Sequence, residues 1–326
     1  MSKLCSERRK TMARYIAKRL VLMAITLFLI ITISFFVMHS MPGNFIQNNK
    51  LPADVKKAML DKYHLNDPLT TQYGYFIRDF AKGDFGISLV IQPKVPVNEV
   101  LATKIPVSMQ LNIFSLIFTM PIAMILGIWA AIRKNKIDDQ IISILIILFI
   151  SVPSFVYASL MQYYLAFKLG WFPIITEVGT KLTWSKFYSM ILPILALSFG
   201  SIAGVARYTR AELTEALNSE YMLLAKSKGL SQVQATVRHA LRNSFIPLAN
   251  IIIPMFLQIM GGSLVIERIF SIPGMGNIMV DAINAYDFPL AIGVLFWFSL
   301  LSLVTILIVD LSYGIIDPRI RLGGRD

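Results

Sequence analysis

Residues 219–243 read SEYMLLAKSKGLSQVQATVRHALRN, a basic and polar stretch set between long runs of Leu, Ile and Phe. Its local grammar is explicit. From Ala211 to Lys228 there is no Gly or Pro, acids come early and lysines late, so the spacing predicts a helix aligned with its macrodipole. Gly229 then suits a left-handed helix end, and Leu230 can supply the apolar contact that follows such an end. Ser231 and Gln234 form the S-x-x-Q pattern of a capping box, which opens a second helix over VQATVRHALRN. The segment therefore reads as a water-exposed helical hairpin.

Its surroundings are apolar enough to fix the class of protein. Of 326 residues, 56% are hydrophobic and only 15% charged, against about a quarter charged in a soluble domain. Uncharged runs occur at about Leu20–Met38, Ile105–Ile132, Ile141–Phe167, Phe187–Ala206, Asn243–Ile266 and Phe288–Val309. Each exceeds the roughly 18 residues that a helix needs to cross about 30 Å of hydrocarbon. These runs predict an all-α integral membrane protein with six spans, at about 15–38, 105–132, 141–167, 187–206, 243–266 and 288–313. A β-barrel would require short segments of alternating polarity, and these runs are unbroken.

The net charge of +12 is placed by topology. Basic clusters lie at the N-terminus, at Arg133, Lys134 and Lys136, around Arg207 to Arg242, and at Arg319, Arg321 and Arg325. With six spans all four fall on one side, which the positive-inside rule makes the cytoplasm, with both termini there. One membrane domain, 15–317, then lies between a basic segment, 1–14, and a short tail, 318–326. The outer loop 39–104 has room for a small subdomain: PADVKKAMLDKYHL suits a short amphipathic helix, and GDFGISL with Pro93 and Pro96 signals turns. Pro121, Pro153, Pro193 and Pro254 interrupt spans and read as packing kinks, while Gly200 and Gly204 have the spacing of a close helix contact. The lone Cys5 excludes an internal disulfide.

Three roles suit the hairpin. A DNA-binding helix-turn-helix would need a separate fold, and both ends here lead back into the membrane. An inert solvated connector explains the charge but not why Tyr221, Met222, Leu223, Leu224 and Leu230 crowd the turn. A docking element, with an apolar tip entering a groove on a soluble partner, explains both.

The same stretch, followed by IPL, resembles the cytoplasmic coupling segment of ABC-importer permeases, in the oligopeptide, dipeptide and nickel group and in its B-type subunit. The resemblance covers almost the whole chain: RYIAKRL and MPGN, GDFGISL, PVSMQL, SVPSF, LGWFP, FSIPGMGNIMVDAI and DPRIR occur in the family's order. The generic permease motif has Glu-Ala-Ala before its Gly. Here Ala225 and Gly229 remain, Leu223 and Leu224 stand at the first two positions, and Leu241 is followed by Arg242 with the next proline at Pro247. These departures are similar to the peptide-permease variant, and the role of the generic glutamate does not transfer to Leu223.

The resemblance implies the fold of a type I ABC importer permease, with a cytoplasmic coupling hairpin at 211–242 and a large outer loop between the first two spans. It implies a heterodimer with a C-type permease, two ABC ATPase subunits beneath it, and an extracytoplasmic binding protein that delivers peptide; nickel or a metal chelate is the alternative cargo. No cofactor or metal is expected on this chain, and ATP and magnesium are expected on the ATPase subunits. The coupling contact is expected at Glu220, Tyr221, Leu224, Ala225, Lys228, Gly229, Leu230, Ser231 and Gln234, with Gly229 setting the turn and Ala225 permitting close approach. The membrane is expected to be a bacterial or archaeal plasma membrane.

Several classes are disfavoured by the residues themselves. There is no GxxxxGK[ST] loop, so no P-loop ATPase on this chain; His39, His64 and His239 fall at span ends or in loops, and no HExxH exists. An intramembrane enzyme and a passive channel are the rivals from other classes, and dependence on ATP discriminates the channel. Scarcity of ionisable residues in the spans argues against ion-coupled carriage. No nucleic-acid partner is expected, and lipid surrounds the spans. On the outer side, IERIFSIPGMGN predicts a sharp turn at Pro273, Gly274 and Gly276, either a gate or binding-protein contact or an ordinary loop with a packed Phe270. Glu267, Asp281 and Asp287 are expected at the interface or in water, where acids cost little.

Overall fold

A computed structural model describes residues 2–41, 66–258 and 264–316. The amphipathic stretch 52–65, the MPGN motif beyond Met41, the end of the fifth expected span and the tail from Asp317 lie outside the described residues. Twelve α-helices lie among the described residues: α1 (Ser2–Ser40), α2 (Leu69–Phe80), α3 (Val97–Ile132), α4 (Ile137–Ser151), α5 (Ser154–Met161), α6 (Trp184–Leu217), α7 (Glu220–Ser227), α8 (Gln232–Ala235), α9 (Leu241–Gln258), α10 (Leu264–Ile269), α11 (Met275–Asn284) and α12 (Phe288–Ile316). A single antiparallel bridge, Ile87 to Pro96, is the only extended pairing among the described residues.

Among the described residues four helical stretches are long and apolar enough to cross a membrane: Arg14–Ser40, Val97–Ile132, Trp184–Leu217 and Phe288–Ser312. The third expected span is not straight. Helices Ile137–Ser151 and Ser154–Lys168 meet at 95°, because Val152 precedes a proline and is held extended at φ −96° and ψ 124°. What the sequence suggested as a kink at Pro153 is a break. Beyond Met161 the chain widens into a π-helical turn, Gln162–Lys168. Pro106, Pro121 and Pro193 are accommodated inside unbroken helices.

Helix limits also depart from the apolar runs. Helix α3 begins at Val97, eight residues inside the expected outer loop, since charged residues such as Glu99 and Lys104 end hydropathy but not helical geometry. That loop contains α2 as well. The first helix extends back through the basic segment to Ser2. Conversely, the helix expected over Ala211–Lys228 is two helices, split at Asn218 and Ser219. Asn218 Nδ2 donates to the Thr214 carbonyl and Ser219 Oγ to that of Ala216, local bonds that compete with helix continuation.

The centre is the pair α3 and α6. Gly127 is the point of closest approach: a Cβ there would lie 2.5 Å from Thr209 Cβ and 2.8 Å from the Ala206 carbonyl. Gly200, by contrast, has only the Phe149 carbonyl nearby, at 3.8 Å, so it is not itself a point of close helix approach. Buried Ser108, Asn112, Ser115 and Thr119 form a polar stripe along α3, and Ser115 shares a hydrogen bond of 3.0 Å with Ser198 of α6. Hydroxyls bonding between helices are a recurrent glue in lipid. The C-terminal end of α1 and the N-terminal ends of α3 and α12 close around Phe35, Val97, Leu101, Met279 and Leu290. Arg19, midway along α1, pairs with Asp310 toward the C-terminal end of α12 at 2.7 Å.

Candidate functional site

Helix α7 is a short bar packed mainly on the return segment, Gln232–Ala240. Its inner face is Met222 and Ala225, spaced three apart and buried against Ala131 of α3, Leu213 and Ala216 of α6, and Ala235 and Ala240 on the return. Ala225 therefore faces inward. Its small side chain permits close packing within the chain, in place of the partner contact expected from sequence.

The turn is fully capped. Gly229 sits at φ +84°, its N–H donates to the Lys226 carbonyl at 2.9 Å, and the Leu230 N–H donates to that of Ala225 at 3.3 Å. Those two bonds make a Schellman end, which satisfies carbonyls that a helix terminus leaves free. Ser231 Oγ accepts from the Gln234 N–H at 3.3 Å, and Gln234 Oε1 accepts from the Ser231 N–H at 3.2 Å, completing the capping box. The return helix runs α8, then a π-helical turn over Thr236–Ala240, then α9.

The outer face of the bar is apolar and uncovered. Leu223 is 67% exposed, Leu224 56% and Val233 71%, with Tyr221 and Val237 beside them. Glu220, Lys226 and Lys228 edge this face and are exposed too. Of the sequence-expected contact residues, the structure brings Glu220, Tyr221, Leu224, Lys228, Ser231 and Gln234 to the surface, half-buries Leu230, and withdraws Ala225.

At the other end of α3 is a buried carboxylate turn. Glu267 is fully buried. One of its oxygens accepts from Ser108 Oγ at 2.6 Å, and the other from the backbone N–H groups of Gly276 at 2.8 Å and Asn277 at 3.1 Å. Ser108 Oγ in turn accepts the Met275 N–H at 2.8 Å. Burial pushes the Glu267 carboxyl above the ordinary carboxylate range, and these donors draw it part of the way back. The glycines are required by proximity: a Cβ on Gly274 would lie 2.4 Å from Ser108 Oγ, and one on Gly276 would lie 2.6 Å from Leu264 Cα. Phe270 is buried within the turn, and Pro273 precedes α11, a helix that the loop reading missed.

Asp287 has a parallel role. Fully buried at the start of α12, it accepts from Ser88 Oγ at 2.5 Å and from the N–H groups of Leu89, Val90 and Ile91 at 3.0, 3.0 and 3.1 Å. Glu267 and Asp287 are thus inside the protein, contrary to the expectation of interface or water, because donors from distant segments replace hydration. Asp281 is exposed and pairs with Arg268. A third buried acid, Asp139 of α4, went unnoticed in the sequence: Arg210 of α6 clamps it through Nε at 2.5 Å and Nη2 at 2.8 Å. Lys186 is also buried, donating to Gln110 Oε1 at 2.7 Å and to the Gly179 carbonyl. Its signal was an isolated lysine at the start of an apolar run.

Comparison with known proteins places this geometry in a lineage. Residues 123–322 match the family model for the binding-protein-dependent transport system inner membrane component. The chain is 42% identical over 311 residues to the dipeptide transport system permease protein DppB of Lactococcus lactis subsp. cremoris, an alignment spanning 95% of this chain and all of that one. It is 37% identical to DppB of Bacillus subtilis, over 95% and 99% of the two chains. It is 36% identical to the oligopeptide transport system permease protein OppB of Haemophilus influenzae, over 95% and 100%. The chain belongs to the binding-protein-dependent transport system inner membrane component family, and is a multi-pass membrane protein.

Proposed function

We propose that this family member is the B-type permease subunit of an ATP-driven peptide importer. It pairs with a C-type permease to form the path, takes di- or oligopeptides from an extracytoplasmic binding protein, and couples to two ATPase subunits that carry ATP and magnesium. The peptide cargo is supported by the relatives, whose names are those of dipeptide and oligopeptide permeases. In this reading the broken pair α4 and α5 is the third of six spans and α9 begins the fifth, which leaves both termini cytoplasmic.

One observation carries the coupling role. The outer face of α7 is apolar and uncovered, while its inner face, Met222 and Ala225, shares one buried cluster with Ala131 at the end of α3 and Leu213 and Ala216 at the end of α6. A groove on an ATPase that took Tyr221, Leu223 and Leu224 would therefore hold the two central helices as well, so its movement on binding ATP would tilt them. An inert connector has no reason to leave three large apolar residues on a rigidly capped bar.

The test is co-purification from detergent-solubilised membranes, with bound chains identified by mass spectrometry and ATPase activity measured. Two variants are compared with wild type: residues 224–234 replaced by a Gly/Ser linker, and Leu223→Asp with Leu224→Asp. The second changes only exposed side chains and leaves the packed face alone. Recovery of a second permease and of P-loop ATPases with wild type, and loss of the ATPases alone with both variants, is the expected result. ATPase retention by the double Asp variant would refute docking through α7, and a stoichiometric complex with no ATPase would refute the importer.

A further inference from the structure

A cleft of about 440 Å³ lies between α4 and α6 and is lined by Ser143, Ile146, Ile147, Ile150, Ser151, Arg207 and Arg210. Its charge lies at one end, and the far end carries only the neutral Ser151 beside the isoleucines. Asp139 and Arg210 form the ion pair at one end, where Asp139 also accepts the Asn135 N–H at 2.9 Å, so the Arg210 charge is matched and its guanidinium fixed. Arg207, one turn back along α6, is exposed and has no acidic partner among the described residues. Beyond it the wall is Ile146, Ile147 and Ile150.

The two helices are antiparallel, with Asp139 opposite Arg210 and the Phe149 ring stacked on Phe199 at 4.9 Å. The isoleucines therefore lie on the side away from the hairpin. Helix α6 has 34 residues, a length of about 51 Å against about 30 Å of hydrocarbon. Its hairpin end must project from the bilayer core. Arg207 stands ten residues before Leu217, about 15 Å of helix, which suits the headgroup layer, with the isoleucines in hydrocarbon.

We propose that this cleft is a binding site for one anionic phospholipid of the hairpin-side leaflet, with its phosphate on the Arg207 guanidinium and an acyl chain along Ile146, Ile147 and Ile150. The chemistry selects this occupant. A free anion would satisfy Arg207 and leave the isoleucine wall bare. A zwitterionic lipid would cover the wall but bring a cation beside the arginine pair. Basic pockets between membrane helices on the cytoplasmic side recognise anionic headgroups in this way. The site does not depend on the coupling role of α7.

Native mass spectrometry on the full chain in mild detergent tests it, with phosphatidylglycerol and phosphatidylcholine of identical chains titrated separately. Wild type is expected to hold phosphatidylglycerol about fivefold more tightly, Arg207→Gln to erase the preference, and Arg207→Lys to retain it. Arg242→Gln, an exposed arginine outside the cleft, is expected to leave it intact. Ile147→Trp, which fills the cleft, should weaken both lipids. Equal affinities in wild type would overturn the proposal, as would equal losses in Arg207→Gln and Arg242→Gln, which would indicate diffuse charge. Displacement of the bound lipid by a co-purified second permease would overturn it too, in favour of a subunit interface.

Discussion

Replacing Glu267 is the most demanding test of the outer turn. Three donors end on its carboxylate: the Ser108 hydroxyl and the N–H groups of Gly276 and Asn277. Glu267→Ala removes all three acceptances at a site with no solvent exposure. At about 1–3 kcal/mol for each buried donor left unpaired, the cost is roughly 3–9 kcal/mol, with water entry pulling it toward the lower figure. Glu267→Gln should cost far less. Its oxygen can keep both backbone N–H groups while its amide turns to Ser108 Oγ, leaving only the serine proton to find another acceptor. Thermal unfolding of the purified chain in detergent, read by tryptophan fluorescence, ranks the variants, and Ser108→Ala added to each gives the coupling. Burial raises the Glu267 carboxyl, so the folded state holds its proton more tightly than the unfolded state. That contribution to stability is complete below the unfolded pKa and is lost as pH rises through the folded one, so the wild-type midpoint should fall relative to Glu267→Gln on the alkaline side. An alanine variant within about 1 kcal/mol of wild type would refute the hub, and equal pH profiles would refute the shifted carboxyl.

At the hairpin, nothing lies within 4 Å of a Cβ built on Gly229, so the penalty of Gly229→Val is backbone strain at φ +84°, at least about 1–2 kcal/mol. Gly229→Asn should be milder, and normal ATP-driven peptide uptake by the Val variant would count against the docking role of a correctly aligned tip. Gly127→Ala places a methyl 2.5 Å from Thr209 Cβ and should cost about 1–3 kcal/mol by forcing α3 from α6; an unchanged unfolding midpoint would show the contact to be soft. Arg210→Ala strands a carboxylate whose side chain is 3% exposed, a loss of about 3–5 kcal/mol, whereas Asp139→Asn with Arg210→Gln should lose less. Equal losses would mean that the pair does not act as a unit. Finally, Ser115→Cys with Ser198→Cys, at hydroxyls 3.0 Å apart, should oxidise to a disulfide that leaves uptake intact if α3 and α6 move together, and stops it if they slide.

What was legible in the sequence was what depends on nearest neighbours. The Gly229 turn and the Ser231/Gln234 box are realised bond for bond, because each is closed within six residues. The apolar runs located the long helices but not their ends, since hydropathy stops at Glu99 or Lys104 and hydrogen bonding does not. The split at Asn218 was readable from two residues that favour bonding their own backbone, though the absence of Gly and Pro suggested continuity. The buried acids were not readable. Reasoning on the cost of an isolated charge sends Glu267 and Asp287 to water, whereas their donors come from Ser108 and from residues 88–91, more than 150 positions away. Only tertiary structure brings such donors to a carboxylate.

These long-range bonds decide how a push on the hairpin travels. Helix α3 carries Ala131 in the hairpin cluster and Ser108 in the Glu267 hub, 23 residues apart, or about 35 Å along one helix. Helix α6 runs beside it without interruption, tied by the Gly127 approach, by Ser115 to Ser198, and through Asp139 to α4. A displacement of α7 therefore reaches the outer turn as a tilt of a tied pair, with no need for a relay of small local changes. Regular α-helical bonding lapses at the 95° break after Ser151 and gives way to the wider π-helical turn at Gln162–Lys168. On this geometry α4 is tied to α6 through the Asp139–Arg210 clamp, and α5 is tied to it as well, through Ala158 and Met161 in the buried cluster with Met190, Leu192 and Ile194. The Val152–Pro153 break therefore separates two segments that are both held to α6, so a tilt of α6 is expected to carry α4 and α5 together, with the cleft between α4 and α6 keeping its shape.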